Sequence, residues 1–402
     1  MAYAAQKPSF LPSELHDASD PELSAKNPVV LKWPEKQSDK ALEGAEERKR
    51  TDDILRKLGY QPAAAAPVPA ELSDDAPLLL VKRTTEKTAL QQEIPAAIQA
   101  YDLALSTVRE HFPLLLVKKT LNIAPFEQAA AALVDSLERN SDAAFCVSKL
   151  YEPNVYMYTH SVNVCIYVAA FALSCGKSRS EAITNGLAAL LHDVGMALLP
   201  LALLQSSREL SPTEQVLVKR HPVIACELLS DLPNIHSNIF FAALEHHECY
   251  DGTGYPANLY GSGISFIGHL TAICSAFDAM TSHRRHRPPV TAHAALGEMF
   301  KQRNKQFHPV ILENFIKMLG VYPAGSVVVL QDGYCGVVTA SPKKSPTRPV
   351  VTLIRDPKGH PMPRLEFDMS QERLANIAKC VSATEEGVDI HDILGIPKKL
   401  TK

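Results

Sequence analysis

Hydrophobic residues recur at helical spacing through the middle of the chain. From about residue 93 to 320, segment after segment places apolar positions three or four residues apart and closes on glycine or asparagine. That pattern predicts amphipathic helices packed in one bundle. "IPAAIQAYDLALSTVREHF" is the first such segment. "APFEQAAAALVDSLERN" follows, with Pro125 in its first turn and Asn140 as its predicted end. "HSVNVCIYVAAFALSCG" is apolar on nearly every side and closes at Gly176. "SRSEAITNGLAALLHDVG" is predicted to open on Ser180 as N-cap and to close at Gly195. Further helical segments begin at Ser211, Ile235, Ser265, Thr291 and His308.

The pattern changes on either side of this block. After Gly320 the texture becomes β-rich: "GSVVVLQDGYCGVVTASP" is two strand-like runs around an Asp-Gly turn. "RPVVTLIRDPKGHPM" adds another strand, and "SQERLANIAKCV" reads as a short helix. Residues 1–92 are rich in Pro, Ala, Lys, Glu and Ser. They carry too little apolar periodicity for a core of their own, so partial disorder is expected there. Within them, residues 35–60 read as one charged helix, 61–77 as a linker, and "PLLLVKR" as a strand packed on the body. The similar "PLLLVKK" at 113–119 is too little for a repeat architecture. The expected organisation is therefore mainly α: a helical domain at 93–320, a small β-rich domain at 321–402 and an N-terminal region at 1–92.

Composition narrows the function classes. The 402 residues are 46% hydrophobic and 21% charged, with a net charge near −3. Nothing in that balance favours a nucleic-acid polymer or a membrane surface. The eight cysteines show no paired spacing and read as buried thiols in a reducing cytoplasm. The run 186–204 is long and apolar enough to span a bilayer. His192, Asp193, Gly195 and Pro200 interrupt it, so a buried helix, a break and a second buried segment are expected, with no membrane span.

Candidate chemistry lies in polar residues embedded in these apolar helices: His160, His192–Asp193, His221 and His246–His247. Imidazole and carboxylate are the usual ligands of Fe, Mn, Zn or Ni. Neighbouring helical residues point about 100° apart, so a paired motif can bracket one ion or reach two. A carboxylate with two oxygens can join ions about 3.5–4 Å apart and so lower the pKa of a water between them. Lone histidines such as His111, His236 and His293 are expected to be surface or satisfied core residues. In "DGTGYP", Gly252 and Gly254 are expected to supply positive φ or close backbone approach.

The phrases "YTHSVNV", "LLHDVG", "HHECYDGTGYP" and "FDAMTSHR", in this order over residues 140–320, resemble the HD-GYP family, a branch of the HD metal-dependent phosphohydrolases. The C-terminal "YPAGSVVVLQDGYCGVV" is also similar to a tail carried by some members. The resemblance implies an all-helical HD fold in a cytoplasmic bacterial enzyme. Its implied activity is hydrolysis of cyclic di-GMP to pGpG or GMP at a centre of iron or manganese. It assigns His160, His192, Asp193, His221, His246 and His247 as ligands, with Asp193 as the catalytic bridge. Arg284 and Arg287 match residues that grip phosphate and guanine. Asp251, Gly252, Gly254, Tyr255 and Pro256 form a loop that shapes the substrate mouth or docks a partner such as a diguanylate cyclase (GGDEF) domain.

Three positions depart from the family pattern. Ser275 stands where an aspartate completes the first ion's ligands. Met196 replaces the lysine of HDxGK, and Tyr156 replaces a glutamate that serves a third ion. Asp193 is then the one carboxylate among the ligands. With two divalent ions and a bridging hydroxide, about two positive charges remain uncompensated in an apolar pocket. Asp278 lies one helical turn after Ser275 and is a candidate to turn inward, although the family has an aspartate there as well. One or two ions are expected. Two functional readings follow: a phosphodiesterase of impaired activity, or an inactive cyclic di-GMP receptor or protein-docking module of the same fold. Action on other nucleotides is a third, against which the intact "DGTGYP" argues.

Overall fold

The computed structural model describes residues 88–396, apart from 119, 151–155, 205, 207, 231, 234, 285–287, 343–344, 373 and 384–385. The expectations for the N-terminal helix, linker and strand, and for Arg287, lie outside the described residues. The rest forms a helical body followed by a five-stranded sheet.

The helical body begins with α1 (Leu90–Lys118), which takes in the first part of the second "PLLLVKK". It packs along α2 (Ala124–Val147). Pro125 stands in the first turn of α2, but Asn140 does not end it. Asn140 leaves the helical region at φ −161°, ψ 103°, and its side-chain oxygen accepts from Asp142 N at 3.0 Å. It kinks the helix and caps the segment that runs on to Val147.

At the centre lies α3 (Tyr156–Ser174). Its length and composition would suit a membrane, yet 89% of its 18-residue apolar window is buried inside the fold. That burial explains why its sequence is apolar all round. Gly176 follows with φ +78°, a conformation that costs glycine little. The next helix, α4 (Arg179–Leu190), starts two residues earlier than expected. Ser178, not Ser180, is the N-cap, because Glu181 completes a capping box with it. The helix stops at Leu190 rather than Gly195, and Val194–Leu198 forms a 3-10 turn. The run 186–204 is thus a buried helix, a break, a largely buried 3-10 turn and then Ala202–Leu204, which are exposed or half-buried rather than the second buried segment expected.

Four short helices complete the approach to the centre: α5 (Leu201–Leu204), α6 (Pro212–Val218), α7 (His221–Ser230) and α8 (Ser237–Glu245). Then come α9 (Phe266–Thr281), α10 (Ala292–Lys301) and α11 (Pro309–Leu319), with Ser265 and Thr291 as N-caps of the first two. One continuous core runs through α1 to α4 and α7 to α11. Tyr101, Tyr167, Phe112, Phe126, Phe171, Phe277 and Phe315 are its largest fully enclosed residues.

The sheet comprises β1 (Val327–Leu330), β2 (Cys335–Ala340), β3 (Val350–Arg355), β4 (Pro361–Asp368) and β5 (Ile377–Val381), antiparallel in the order β4-β3-β2-β1-β5. "SQERLANIAKCV" therefore ends in a strand, contrary to the helix expected. Residues 377–381 pair with β1, and that edge satisfies their backbone groups where local propensity alone favours a turn of helix. A short α12 (Ile390–Ile393) closes the described chain. All eight cysteines are free thiols, five of them buried.

Candidate metal centre

The sequence delivers the polar side chains to one point by ending helices there. His192 and Asp193 lie just beyond the C-terminus of α4, and His221 is the first residue of α7. His246 is the C-cap of α8, with His247 next, and His160 sits in the second turn of α3. Gly195 makes the approach of α7 possible. A β-carbon there would stand 2.0 Å from the His221 carbonyl oxygen and 2.8 Å from Ala225 N.

Asp193 is shared between two groups of ligand-type residues. One is Asp193 with His221, His246 and His247; the other is Asp193 with His160 and His192. Within each group the donor atoms lie inside 4.8 Å of one another. The two carboxylate oxygens divide the work. Oδ1 is 3.2 Å from His221 Nε2 and 3.3 Å from His246 Nε2. Oδ2 is 3.5 Å from His192 Nε2 and 3.8 Å from His160 Nε2. The Asp193 side chain is 14% exposed, while those of His192, His221 and His246 are 3% or less. The carboxylate is therefore the edge that meets solvent.

Second contacts fix the imidazole tautomers. Nδ1–H of His192 donates to Ala189 O at 2.7 Å, and that of His221 donates to Val218 O at 2.8 Å. His246 Nδ1–H is shared by Ala242 O and Ala243 O, each at 3.0 Å. All three rings thus turn an Nε2 lone pair toward Asp193. Burial pushes the His192 imidazole down to about 3, against the attraction of Asp193. Burial also lowers His246 and takes His247 well below the ordinary range.

This donor set fits a divalent ion. The Nε2 of His192 is buried without a hydrogen-bond partner, and an unsatisfied buried acceptor is costly. The Nε2 atoms of His221 and His246 are 3.1 Å apart. With both Nδ1 protons committed to carbonyls, two lone pairs face each other, and a cation between them removes the conflict. His/Asp clusters of this kind hold divalent metals.

His160 completes the second group through a different partner. Its Nδ1–H donates to Asp278 Oδ2 at 2.7 Å, and its Nε2 accepts from Ser275 Oγ at 3.2 Å. Asp278 does not turn toward the centre, the role that the sequence had offered for it. It is fully buried, and its oxygens take up His160, Asn163 Nδ2 at 2.8 Å and Ser282 Oγ at 3.0 Å. Its helical phase carries it behind the ring rather than in front. The carboxylate orients the His160 ring instead of facing the centre.

The two ends of the centre carry matching stacks. Tyr255 lies on His247, centroids 4.7 Å apart and planes 16° from parallel, with Lys219 Nζ 5.2 Å over the tyrosine ring. At the other end Tyr156 lies on His160 at 5.2 Å, with Arg284 Cζ 4.6 Å over its ring and Arg284 Nη2 donating to its hydroxyl. Sequence reasoning did not find Lys219, which stands two residues before His221 with no pattern to mark it. Met196 is half-buried.

The Gly-Tyr-Pro loop is built on Glu248, also missed. Its buried carboxylate accepts from Ala257 N at 2.7 Å and Leu259 N at 3.0 Å. Burial raises this group to about 7, against those two N–H donors. The loop glycines divide the expected roles: Gly252 has φ +78°, and at Gly254 a β-carbon would sit 2.3 Å from Cys249 N. Asp251 Oδ1 accepts from both Thr253 N and Thr253 Oγ1, and Tyr255 N donates to His247 O. Pro256 follows a cis peptide bond. Of the lone histidines, His236 caps α8 through Asn238 N, His111 bonds Thr107 O, and His293 stacks on Tyr322.

Comparison with known proteins agrees with this geometry. Residues 147–311 match the family model described as an HD domain, and 327–387 match a KOW domain associated with the HD domain. The chain is 30% identical to cyclic di-GMP phosphodiesterase PA4108 of Pseudomonas aeruginosa over 286 residues, covering 71% of this chain and 69% of that protein. It is 36% identical over 143 residues to the cyclic di-GMP phosphodiesterase response regulator RpfG of Xanthomonas campestris, spanning 35% of this chain and 38% of the relative. A solved HDG"Y"P protein from Bdellovibrio bacteriovorus, Bd1817, aligns at 20% identity and a TM-score of 0.45 over 59% of this chain and 74% of its own. The first relative is matched over more than two thirds of its length, and the His–Asp pair, the His–His pair and the Gly-Tyr-Pro loop converge on one centre; the chain belongs to the HD-GYP family of HD-domain proteins.

Proposed function

We propose that this chain is a metal-dependent phosphodiesterase acting on cyclic di-GMP, yielding pGpG or GMP, with turnover reduced by Ser275 and Met196. The observation that carries the reading is the division of the Asp193 oxygens between two histidine groups. It suits a carboxylate that joins two cations, iron or manganese by the chemistry of the donors. A divalent ion bound there supplies Lewis-acid polarisation of a phosphoryl oxygen and a water of lowered pKa.

The chain's own residues do the rest. His192, His221 and His246 present unprotonated nitrogens in a dry wall, and His247 is held against Tyr255. Lys219 and Arg284, one at each end of the histidine row, suit the two phosphates of a cyclic dinucleotide. Arg287 is assigned to the same ligand. Lys219 would compensate in part for the charge that Met196 does not carry.

Low turnover follows from the His160 side. There a serine hydroxyl takes the ligand lone pair, and the nearby carboxylate of Asp278 is committed elsewhere. We read residues 93–320 as the catalytic domain, 321–402 as an accessory domain and 1–92 as a separate N-terminal region, acting in the cytoplasm.

The same two substitutions favour a second reading, a receptor that binds cyclic di-GMP without cleaving it. In that role the loop Asp251–Pro256, with the largely exposed Tyr260 beside it, would dock a partner such as a GGDEF domain. Full-length protein loaded with Fe2+ or Mn2+ decides between them. Elemental analysis and calorimetry with cyclic di-GMP report binding, and chromatography of the products reports cleavage. Binding with slow conversion to pGpG supports the enzyme, and binding without products supports the receptor. No binding with either metal sinks both.

A further inference from the structure

We infer that Tyr101 and Asn163 are positioning residues for His160, so that helix α1 sets the geometry of the metal centre from a distance. The inference rests on the reading of His160 as a ligand. It goes beyond that reading because α1 precedes the residues that match the HD-domain model.

Three buried hydrogen bonds run from α1 to the centre. The Tyr101 hydroxyl donates to Asn163 Oδ1 at 2.8 Å, Asn163 Nδ2 donates to Asp278 Oδ1 at 2.8 Å, and His160 Nδ1–H donates to Asp278 Oδ2 at 2.7 Å. Tyr101 and Asp278 are wholly enclosed, and Asn163 and His160 are 2% and 4% exposed. The chain crosses from α1 through α3 to α9 and back to α3.

Its direction is fixed by which groups have protons to give. An asparagine amide can turn either edge toward a neighbour. The acceptor-only carboxylate of Asp278 takes the NH2 edge, which turns Oδ1 toward α1, and the Tyr101 hydroxyl donates to that oxygen and holds the amide in place. A carboxylate whose Oδ1 already receives the amide and Ser282 Oγ offers Oδ2 to the imidazole. That places the histidine proton on Nδ1 and leaves Nε2 as a lone pair, 3.8 Å from Asp193 Oδ2. The other tautomer would aim an N–H into the centre and remove His160 from the ligand set. The same helix α1 also packs on the 3-10 turn after Asp193, so it supports Asp193 as well as His160.

The test uses the full-length protein and Tyr101→Phe, which deletes one oxygen and keeps the ring. Tyr167→Phe is the control: Tyr167 is as buried, and its hydroxyl meets Ser148 Oγ at 3.3 Å, off the relay. Nitrogen-15 NMR of the histidine rings is read on metal-free protein, and Mn2+ affinity is read by calorimetry. Wild type is expected to show His160 as one tautomer, protonated on Nδ1. Tyr101→Phe is expected to mix the tautomers and weaken Mn2+ binding about tenfold, the lower end of what loss of outer partners of metal ligands produces. Asn163→Leu, one link nearer, is expected to reproduce both changes, and Tyr167→Phe neither.

Unchanged tautomer and affinity in Tyr101→Phe would overturn the proposal. So would an equal loss in Tyr167→Phe, or an effect confined to Asn163→Leu. A wild type that binds no Mn2+ would sink the functional reading, while the tautomer measurement would still decide the relay.

Discussion

The hydroxyl of Ser275 lies 3.2 Å from Nε2 of His160, on the ring edge that faces Asp193. A neutral donor thus holds the lone pair at the point where a carboxylate would complete an ion's shell. Ser275→Asp is expected to tighten Mn2+ binding on the His160 side, so that more of it survives dialysis, and to increase turnover, because a carboxylate there would add a charged ligand beside His160 and Asp193. Elemental analysis after dialysis checks the stoichiometry. An unchanged metal count would mean that the His160 side needs no further carboxylate.

Gly195 couples Asp193 to His221. A methyl group there meets backbone atoms of α7 at 2.0 and 2.8 Å, which no rotamer change can relieve. Gly195→Ala is expected to cost about 1–3 kcal/mol of stability through overpacking. By moving α7 outward, it should also weaken Mn2+ binding more than a change of equal cost elsewhere in the core. Urea unfolding and calorimetry on one preparation compare the two losses.

Lys219 stands on Tyr255 without an ion pair among the described residues. Lys219→Met is expected to weaken cyclic di-GMP binding about three- to tenfold, and to flatten its salt dependence, while metal content stays at the wild-type value. Affinity measured at two ionic strengths is the readout. Equal salt slopes in both proteins would remove Lys219 from the ligand site.

Acid should destabilise the metal-free protein through its buried neutral histidines. His269, 5% exposed beneath the Gly-Tyr-Pro loop with Nε2–H donating to Gly261 O, is pushed by burial from the ordinary 6.5 to about 3. Its folded value is depressed, so between pH 6.5 and 3 the unfolded chain binds the extra proton. Its contribution is therefore complete above about 6.5 and declines as pH falls. From pH 7 to 5 the loss at this one site is about 2 kcal/mol. His192 shifts in the same direction. His269→Gln should shrink the difference between unfolding free energies at pH 7 and pH 5 by about that amount. An identical acid loss in the variant would place the sensitivity elsewhere.

Much of this fold could be read from local pattern because local physics decides it. A central helix must be apolar all round, and α3 is. A Ser with Glu three residues on caps a helix, and Ser211–Glu214 does so. Where two local signals competed, the reading slipped. Ser178 and Ser180 both stand at the start of this segment, and only the position of Glu181 separates them. Residues 377–381 follow a helix-like phrase, and only the free edge of β1 makes them a strand.

By itself the sequence determined which atoms are available: five imidazoles and one carboxylate placed at helix ends, with small residues where the backbone must pass closely. Their identities and their spacing along each helix are covalent facts. Only the tertiary structure decided which way each one faces. Asp193 splits its oxygens between two groups, Asp278 backs His160 instead of replacing a ligand, and Tyr101 joins the centre from 59 positions before His160. The physical reason is that a side chain's direction follows from the packing phase of its helix against neighbours far away in the chain. No single segment contains that phase.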